Sequence, residues 1–350
     1  MALELQVKDV TEKSEWEGLI SLLVEKGAYV SFFQSWNWGE FEAAQGLTVI
    51  RWAFRDSGSG EILAASQAFL VNAKRGRYLH MRNGPVLSNN DSELLKEVTI
   101  FLKSEGKRLN CAFVRISPLI PNDPAEAVKF KALGYTASQM HDVDAEVTWL
   151  LELRQSEEEI LQGMRDSHRY LVRKALKMPD LEIIKTKDPA MVREFWPIYQ
   201  ETFERQKWKA YNLGHLEKEF AAYAQDDQVM LFLAKYQGKY IAGSMFIYYQ
   251  DQVYYHHSGS LTEFRKIPSM YRIHWESILE AKARGLRTYN FFGIARDDDP
   301  KHPWAGLTLF KKGFGGRQQE WLHAMDLPVK ASYWFTHFYE NVERKRRGYK

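Results

Sequence analysis

Apolar and polar positions alternate along two stretches of the chain in the same order and at similar spacing. One runs from Thr48, TVIRWAFRDSGSGEILAASQAFLVNAKRGRYLHMRNGP; the other runs from Gln228, QVMLFLAKYQGKYIAGSMFIYYQDQVYYHHSGS. Each reads as a strand, a Gly-containing turn, a second strand, a short turn and a third strand. Ser57 to Gly60 make the first turn in one, Gln237 and Gly238 in the other. A helical period follows each. Leu94, Leu95, Val98, Phe101 and Leu102 share a face of SELLKEVTIFLKSEG, and Met270, Ile273, Ile278 and Leu279 fall on or near one face of SMYRIHWESILEAKARG. Ser269 is expected as an N-cap, with Gly106 and Gly285 as C-terminal stops. A further strand then follows each helix, NCAFVRISP in one half and TYNFFGIA in the other.

The parallel extends to KFKALGY and LFKKGFG, which follow those strands and place Phe130 and Phe310 180 residues apart, the same offset as Trp52 and Phe232. The chain therefore reads as two copies of one mixed α/β unit: an antiparallel meander, a helix, then a strand beside the sheet. The expected domains are 1–148 and 149–326, with a C-terminal helix within 327–350 packing back on the first. AEVTWLLEL reads as a strand linking the halves. SEEEILQGMRDSHRYLVRKALKMPD reads as a helix ended by Pro179, its apolar character supplied by Met164, Tyr170, Leu171, Ala175 and Leu176.

Composition narrows the class. The chain has 350 residues, 45% of them hydrophobic, enough for two cores. The formal net charge is +3, so an anionic partner has to be held by local patches rather than by the whole-molecule field. Cys111 is the only cysteine, which excludes a disulfide framework and a cysteine-based metal site. MALELQVKDV lacks the basic and apolar regions of a signal peptide, and no apolar run approaches the ~18 residues of a membrane span. A cytoplasmic protein, monomeric, is the expectation.

Four segments in the second half carry a resemblance: ETFERQKW (Glu201–Trp208), YYHHSGS (Tyr254–Ser260), YNFFGI (Tyr289–Ile294) and GLTLFKKGFGG (Gly306–Gly316). With FFQSWNWGEF (Phe32–Phe41) they follow, in order, the motifs of the Fem family of peptidoglycan-bridge aminoacyltransferases, and the chain most resembles its compact FemX-type members. The resemblance implies two tandem acetyltransferase-like (GNAT) domains without the coiled-coil arm of larger members. It also implies transfer of an amino acid from aminoacyl-tRNA to the stem-peptide amine of a cell-wall precursor, UDP-MurNAc-pentapeptide or lipid II. No cofactor is implied beyond the aminoacyl-tRNA donor, and no metal.

By the same resemblance Lys311 stabilises the transition state near the aminoacyl end, Phe310 walls the pocket, and Arg205 grips the precursor diphosphate. The guanidinium fork suits phosphate oxygens. A surface ion pair with Glu201, four residues earlier, is the alternative for Arg205. Tyr211 and Tyr255 are candidate substrate contacts. Ester aminolysis needs alignment and a positive group near the oxyanion, not an enzyme nucleophile, which agrees with the absence of a G-x-S-x-G elbow. Lys312 reads as a solvated neighbour.

The chain departs from the family pattern twice. Ser117 stands where an acidic residue precedes proline, and Glu40 and Glu42 stand where a phosphate-binding lysine is expected; Arg82 or Lys74 are the substitutes the sequence offers. Asp297 to Asp299 read as a solvated Pro-bounded loop, and His256 and His257, adjacent on a strand, read as facing apart, which argues against zinc. The basic tail ERKRRGYK reads as a solvated end or a contact with tRNA or the inner membrane face. Two rival functions remain: a CoA-dependent N-acyltransferase, disfavoured because GPVLSNNDS and TEFRKIPS lack a pyrophosphate-cradling loop, and a non-catalytic tRNA- or precursor-binding module.

Overall fold

The computed structural model describes residues 3–73, 76–140, 144–208, 210–296 and 303–346. The chain divides into two compact units, Met1–Glu146 with Glu320–Lys350, and Val147–Gln319. Residues 320–326, expected with the second half, are held in the first: Trp321 N–H bonds the Glu146 carbonyl at 2.8 Å and Leu322 N–H bonds Ile120 at 2.8 Å. Lys74, Asp297 to Asp299 and the last four residues lie outside the described residues.

The first unit contains strands β1 (Leu5–Asp9), β2 (Thr48–Asp56), β3 (Ile62–Ala73), β4 (Gly76–Met81), β5 (Val86–Leu87), β6 (Phe113–Ile116) and β7 (Thr136–Ala137). Its helices are α1 (Lys13–Glu25), α2 (Trp36–Ala44), α3 (Ser92–Arg108) and α4 (Pro124–Ala132). The second unit contains β8 (Val147–Glu152), β9 (Leu181–Thr186), β10 (Val229–Tyr236), β11 (Lys239–Tyr249), β12 (Gln252–Ser260), β13 (Thr288–Gly293) and β14 (Arg317–Glu320). Its helices are α5 (Glu157–Gly163), α6 (Asp166–Leu176), α7 (Val192–Gln206), α8 (Leu213–Ala224), α9 (Ser269–Ala283) and α10 (Ala305–Lys312). The chain then returns to the first unit with β15 (Met325–Pro328) and α11 (Tyr333–Arg346).

The two sheets share one plan. In the first, β2, β3 and β4 form the antiparallel meander, α3 crosses over, and β6 runs parallel to β4. In the second, β10, β11 and β12 repeat the meander, α9 crosses over, and β13 runs parallel to β12. Each sheet also accepts an antiparallel strand from a remote part of the chain. β15 lies between β6 and β7, and β8 lies between β13 and β14. The strand read as a link between the halves is therefore an interior strand of the second sheet.

Alternation and helical period account for the cores. Trp52, Phe54, Leu94, Leu95, Val98 and Leu102 bury together in the first unit, and Phe232, Phe246, Ile273, Ile278 and Tyr289 in the second. Burying each large apolar side chain stabilises the fold by about 2 kcal/mol before chain entropy is counted. Asp91 caps α3 through the Glu93 and Leu94 amides. Gly106 does not stop that helix. It lies inside it, where an added Cβ would come within 2.8 Å of Val329. Ser269 is the first residue of α9 and provides no side-chain cap, whereas Gly285 follows the helix end at φ +74 as expected. The helix ended by Pro179 is two helices, broken at Met164, which is buried.

Candidate functional site

The stretch GLTLFKK is helical, and its period decides which lysine is buried. Thr308 and Lys311, three residues apart, form the inner face of α10. The Thr308 hydroxyl accepts from Ala295 N–H at 2.8 Å, and Lys311 Nζ donates to the Gly293 carbonyl at 2.5 Å. Lys311 therefore holds the last residue of β13 and Thr308 the segment just after it; Phe292, near the end of β13, has φ +64. Lys311 is 4% exposed and its Nζ lies 5.6 Å from the centre of the Tyr255 ring. Burial pushes its pKa down to about 7, because an ammonium loses its hydration there. Lys131, at the equivalent place after β6, is exposed.

The neighbours of Lys311 are aromatic. Phe310 packs edge-on against Tyr271 and Phe314 and lies 5.3 Å from His274, ring centre to ring centre. Its carbonyl accepts from His168 Nε2 at 3.0 Å. It is thus an outer member of an aromatic cluster rather than a free wall. His274 is fully buried; its Nδ1 meets the Tyr289 hydroxyl at 2.7 Å, and its Nε2 has no hydrogen-bond partner. Burial first, then Lys311 and His168, hold its pKa well below the ordinary value, so the ring is neutral. Tyr255 donates its hydroxyl to Ser258 at 2.7 Å, and burial raises its pKa to about 12.

The glycines of the same stretch serve close approach. A Cβ on Gly313 would meet the His168 ring at 2.1 Å. Gly316 has φ +102, and a Cβ there would meet the Leu150 carbonyl oxygen at 2.3 Å. Lys312 is half-buried, with Nζ 5.3 Å from the Trp149 ring centre.

Arg205 and Tyr211 stand at the α7–α8 junction. Arg205 Nη1 donates to the Ser260 carbonyl at 3.0 Å and to Thr262 Oγ1 at 2.7 Å, and lies 3.6 Å from Glu201. The guanidinium ties the end of α7 to the end of β12, and the Glu201 pair expected as the alternative is present. Tyr211 is half-exposed and stacks on His215, with ring centres 4.0 Å apart. It also meets the His257 ring at 5.8 Å.

Strand β12 is the common support, but the five residues do not converge on one point. Tyr255 belongs to the core packed by α9 and α10, on the face that carries Lys311 and Phe310. His257 and Gly259 face α7, as the Tyr199 and Ile198 contacts show. From Tyr255 to Ser260, beside Arg205, the strand spans about 16 Å.

Sequence reasoning missed a largely buried cluster here. A bulge opposite Met245 and Phe246 inserts His256 into β12, so His256 and His257 turn to the same side instead of apart. His256 Nε2 lies 2.6 Å and His257 Nε2 2.9 Å from the two oxygens of the fully buried Glu219 on α8. Burial alone would raise the Glu219 pKa; the two imidazoles outweigh it and hold the carboxyl well below its ordinary range. These three residues are a group able to ligate a metal, yet both carboxylate oxygens already accept hydrogen bonds at normal length.

A second polar cluster lies in the first unit. Ser117 donates to the Asp144 carboxylate, and Arg82 Nε donates to the same group at 2.8 Å. Ser117 Oγ also accepts from Asn83 N–H at 3.0 Å. The Arg82 guanidinium lies 3.6 Å from the centre of the Phe33 ring. Burial would raise the Asp144 pKa, but Arg82, His80 and Ser117 hold it below the usual carboxylate value. Ser117, where the resemblance implied an acid, is thus in contact with the carboxylate of Asp144. Arg82 is committed to that acid, and Glu40 to the buried Arg51 at 3.2 Å.

The comparisons agree with this architecture. A sequence model of the FemAB family matches residues 24–239 and 232–341. Aminoacyltransferase FemA of Staphylococcus epidermidis is 29% identical over 89 residues, 25% of this chain and 21% of that protein. Lipid II:glycine glycyltransferase of Staphylococcus aureus is 28% identical over 123 residues, 34% of this chain and 29% of that protein. The matched region thus spans less than a third of these curated relatives. Among solved structures, FemX superposes with a TM-score of 0.82 at 17% identity, covering 96% of this chain and all of FemX. A tandem GNAT protein from the clavulanic acid biosynthesis pathway gives 0.57 at 9% identity, covering 93% of this chain and 99% of that one. The fold is therefore a tandem GNAT-like one, and the family match covers most of the sequence: the chain belongs to the FemAB family.

Proposed function

We propose that this protein is an aminoacyltransferase that moves an amino acid from aminoacyl-tRNA to the stem-peptide amine of a peptidoglycan precursor. The observation that carries the reading is Lys311, a buried amine on the motif helix whose pKa lies near 7. FemAB membership and relatives named as aminoacyl- and glycyltransferases support the reaction class.

The chemistry is aminolysis of an ester. The acceptor amine attacks the carbonyl carbon, the bond to the ribose oxygen breaks, and the amine proton ends on that leaving oxygen. Negative charge builds on the carbonyl oxygen on the way. Approach of the tRNA phosphates favours the protonated form of Lys311, and the ammonium then stabilises that oxyanion in a site where water does not screen it. The neutral His274 and the protonated Tyr255 keep competing charge away from Lys311. Arg205 and Tyr211 serve the acceptor, the guanidinium turning from Ser260 and Thr262 toward a diphosphate.

CoA is disfavoured as donor by both crossover helices. The first amides of α3 are already taken by Asp91, and the first amide of α9, Ser269 N–H, donates to the Ile267 carbonyl at 2.8 Å. The test is incubation with labelled aminoacyl-tRNA and UDP-MurNAc-pentapeptide or lipid II, with acetyl-CoA in parallel. Label on the muramyl peptide from aminoacyl-tRNA is expected. Label from acetyl-CoA alone, or from neither donor, would sink the reading. The amino acid transferred is read out in the same assay by varying the tRNA charge.

A further inference from the structure

Helix α11 has two unlike faces. One is used by the fold. Tyr333 is fully buried and donates its hydroxyl to Asp326 at 3.1 Å; Thr336 is buried; Glu340 accepts from Arg115 at 2.8 Å. The other face is apolar and open. Trp334 is 54% exposed, Phe335 84%, Phe338 68% and Val342 46%. At about 100° per residue, these four fall within an arc of about 100°. Scattered exposed apolar residues are ordinary, but a contiguous aromatic stripe over two turns marks a contact surface.

Charge selects the occupant. Lys345 falls inside the same arc and Arg346 at its edge, and from Arg344 to the final Lys350 the sequence holds five basic residues and no acid. An aromatic stripe that runs into a cationic end fits the boundary between headgroups and acyl chains of an anionic bilayer. A second copy of the chain would present the same cationic end and offers no complementary charge. No helix among the described residues is long and apolar enough to cross a membrane, so the contact is a surface one.

We propose that α11 lies flat on an anionic membrane surface, with Trp334, Phe335, Phe338 and Val342 inserted and Lys345 and Arg346 on the headgroups. Combined with the proposed function, on which this one step rests, it favours a lipid-linked acceptor presented at that surface.

The test uses the full chain and sedimentation with vesicles of phosphatidylcholine alone or mixed with phosphatidylglycerol. Binding is expected to rise with the anionic fraction and to fall with salt. The double variant Phe335→Ser, Phe338→Ser is expected to bind at least about tenfold more weakly, and Lys345→Glu, Arg346→Glu to lose the salt dependence. All four side chains are outside the core, and transfer to soluble UDP-MurNAc-pentapeptide is expected to be unchanged. Absence of binding to anionic vesicles, or equal binding by the Phe335, Phe338 variant, overturns the proposal. So does a dimer in analytical ultracentrifugation that the same variant abolishes without vesicle binding, which assigns the stripe to a second copy. Vesicle binding without transfer to either acceptor sinks the function and leaves the surface intact.

Discussion

The Ser117 hydroxyl donates to the Asp144 carboxylate, and Arg82 bonds the same group from its other side. A buried carboxylate with one cationic partner is costly to orphan. Asp144→Ala is expected to destabilise the first unit by about 3 kcal/mol, because it strands the partly buried Arg82; Asp144→Asn should cost less. The native pKa of Asp144 is lowered, so its contribution is present above the unfolded value near 3.8 and disappears as pH falls through the lower native value. Urea denaturation should therefore show the gap between wild type and Asp144→Asn at pH 7 and a narrowing gap below pH 4. Equal stability at pH 7 would remove the structural role.

Glu219 presents the second buried acid, bonded by His256 and His257. Removing it takes the carboxylate acceptor from the buried His257 and from the partly buried His256. Glu219→Ala is expected to cost about 3 kcal/mol and Glu219→Gln roughly half as much, since the amide still offers one oxygen. Chemical denaturation checks both, and a Glu219→Gln variant as stable as wild type contradicts the account.

The glycines of the motif separate cleanly by geometry. Gly316 combines φ +102 with a Cβ position 2.3 Å from the Leu150 carbonyl, so Gly316→Ala is expected to lose more than about 2 kcal/mol. Gly306, on the same helix motif, has nothing within 4 Å, and Gly306→Ala should be neutral or stabilising by up to about 1 kcal/mol. Thermal melts of the two single variants give opposite signs if backbone approach, rather than a bound phosphate, is the reason for glycine at 316.

The repeat, the meanders and the crossover helices were legible because alternation and helical period are local: Trp52 and Phe232 are buried where the pattern placed them. The inserted strands were not, because pairing of β8 with β13 and of β15 with β6 joins segments more than 130 residues apart. His256 escaped for a different reason. A bulge is one extra residue in register, and nothing in YYHHSGS distinguishes it from a regular strand that sends adjacent side chains to opposite faces. The contact of Asp144 with Ser117 was invisible because a carboxylate can reach a position from any neighbouring element. For Lys311 the motif named the residue, while its helical setting and its burial under the end of β13 were not legible, because they depend on how α10 packs on Gly293 and Tyr255.

Under the proposed function, Lys311 is expected to link stability to donor binding. Its native pKa, about 7, is below the free value of 10.5, so between those values the unfolded chain binds the extra proton. Stability is then expected to rise with pH from about 7 to about 10.5, and Lys311→Met should flatten that rise and be more stable than wild type at pH 6. Donor binding has the opposite slope. If Lys311 meets the donor as proposed, only its ammonium form attracts phosphates, so affinity for aminoacyl-tRNA is expected to fall as pH rises above 7. In Lys311→Met the pH dependence should vanish and turnover should drop at least about a hundredfold, the scale of removing one oxyanion-stabilising group. Filter binding across pH 6–9 and single-turnover transfer measure the two effects separately. A variant that gains stability at pH 6 yet keeps wild-type turnover would leave Lys311 as a buried amine without a catalytic role.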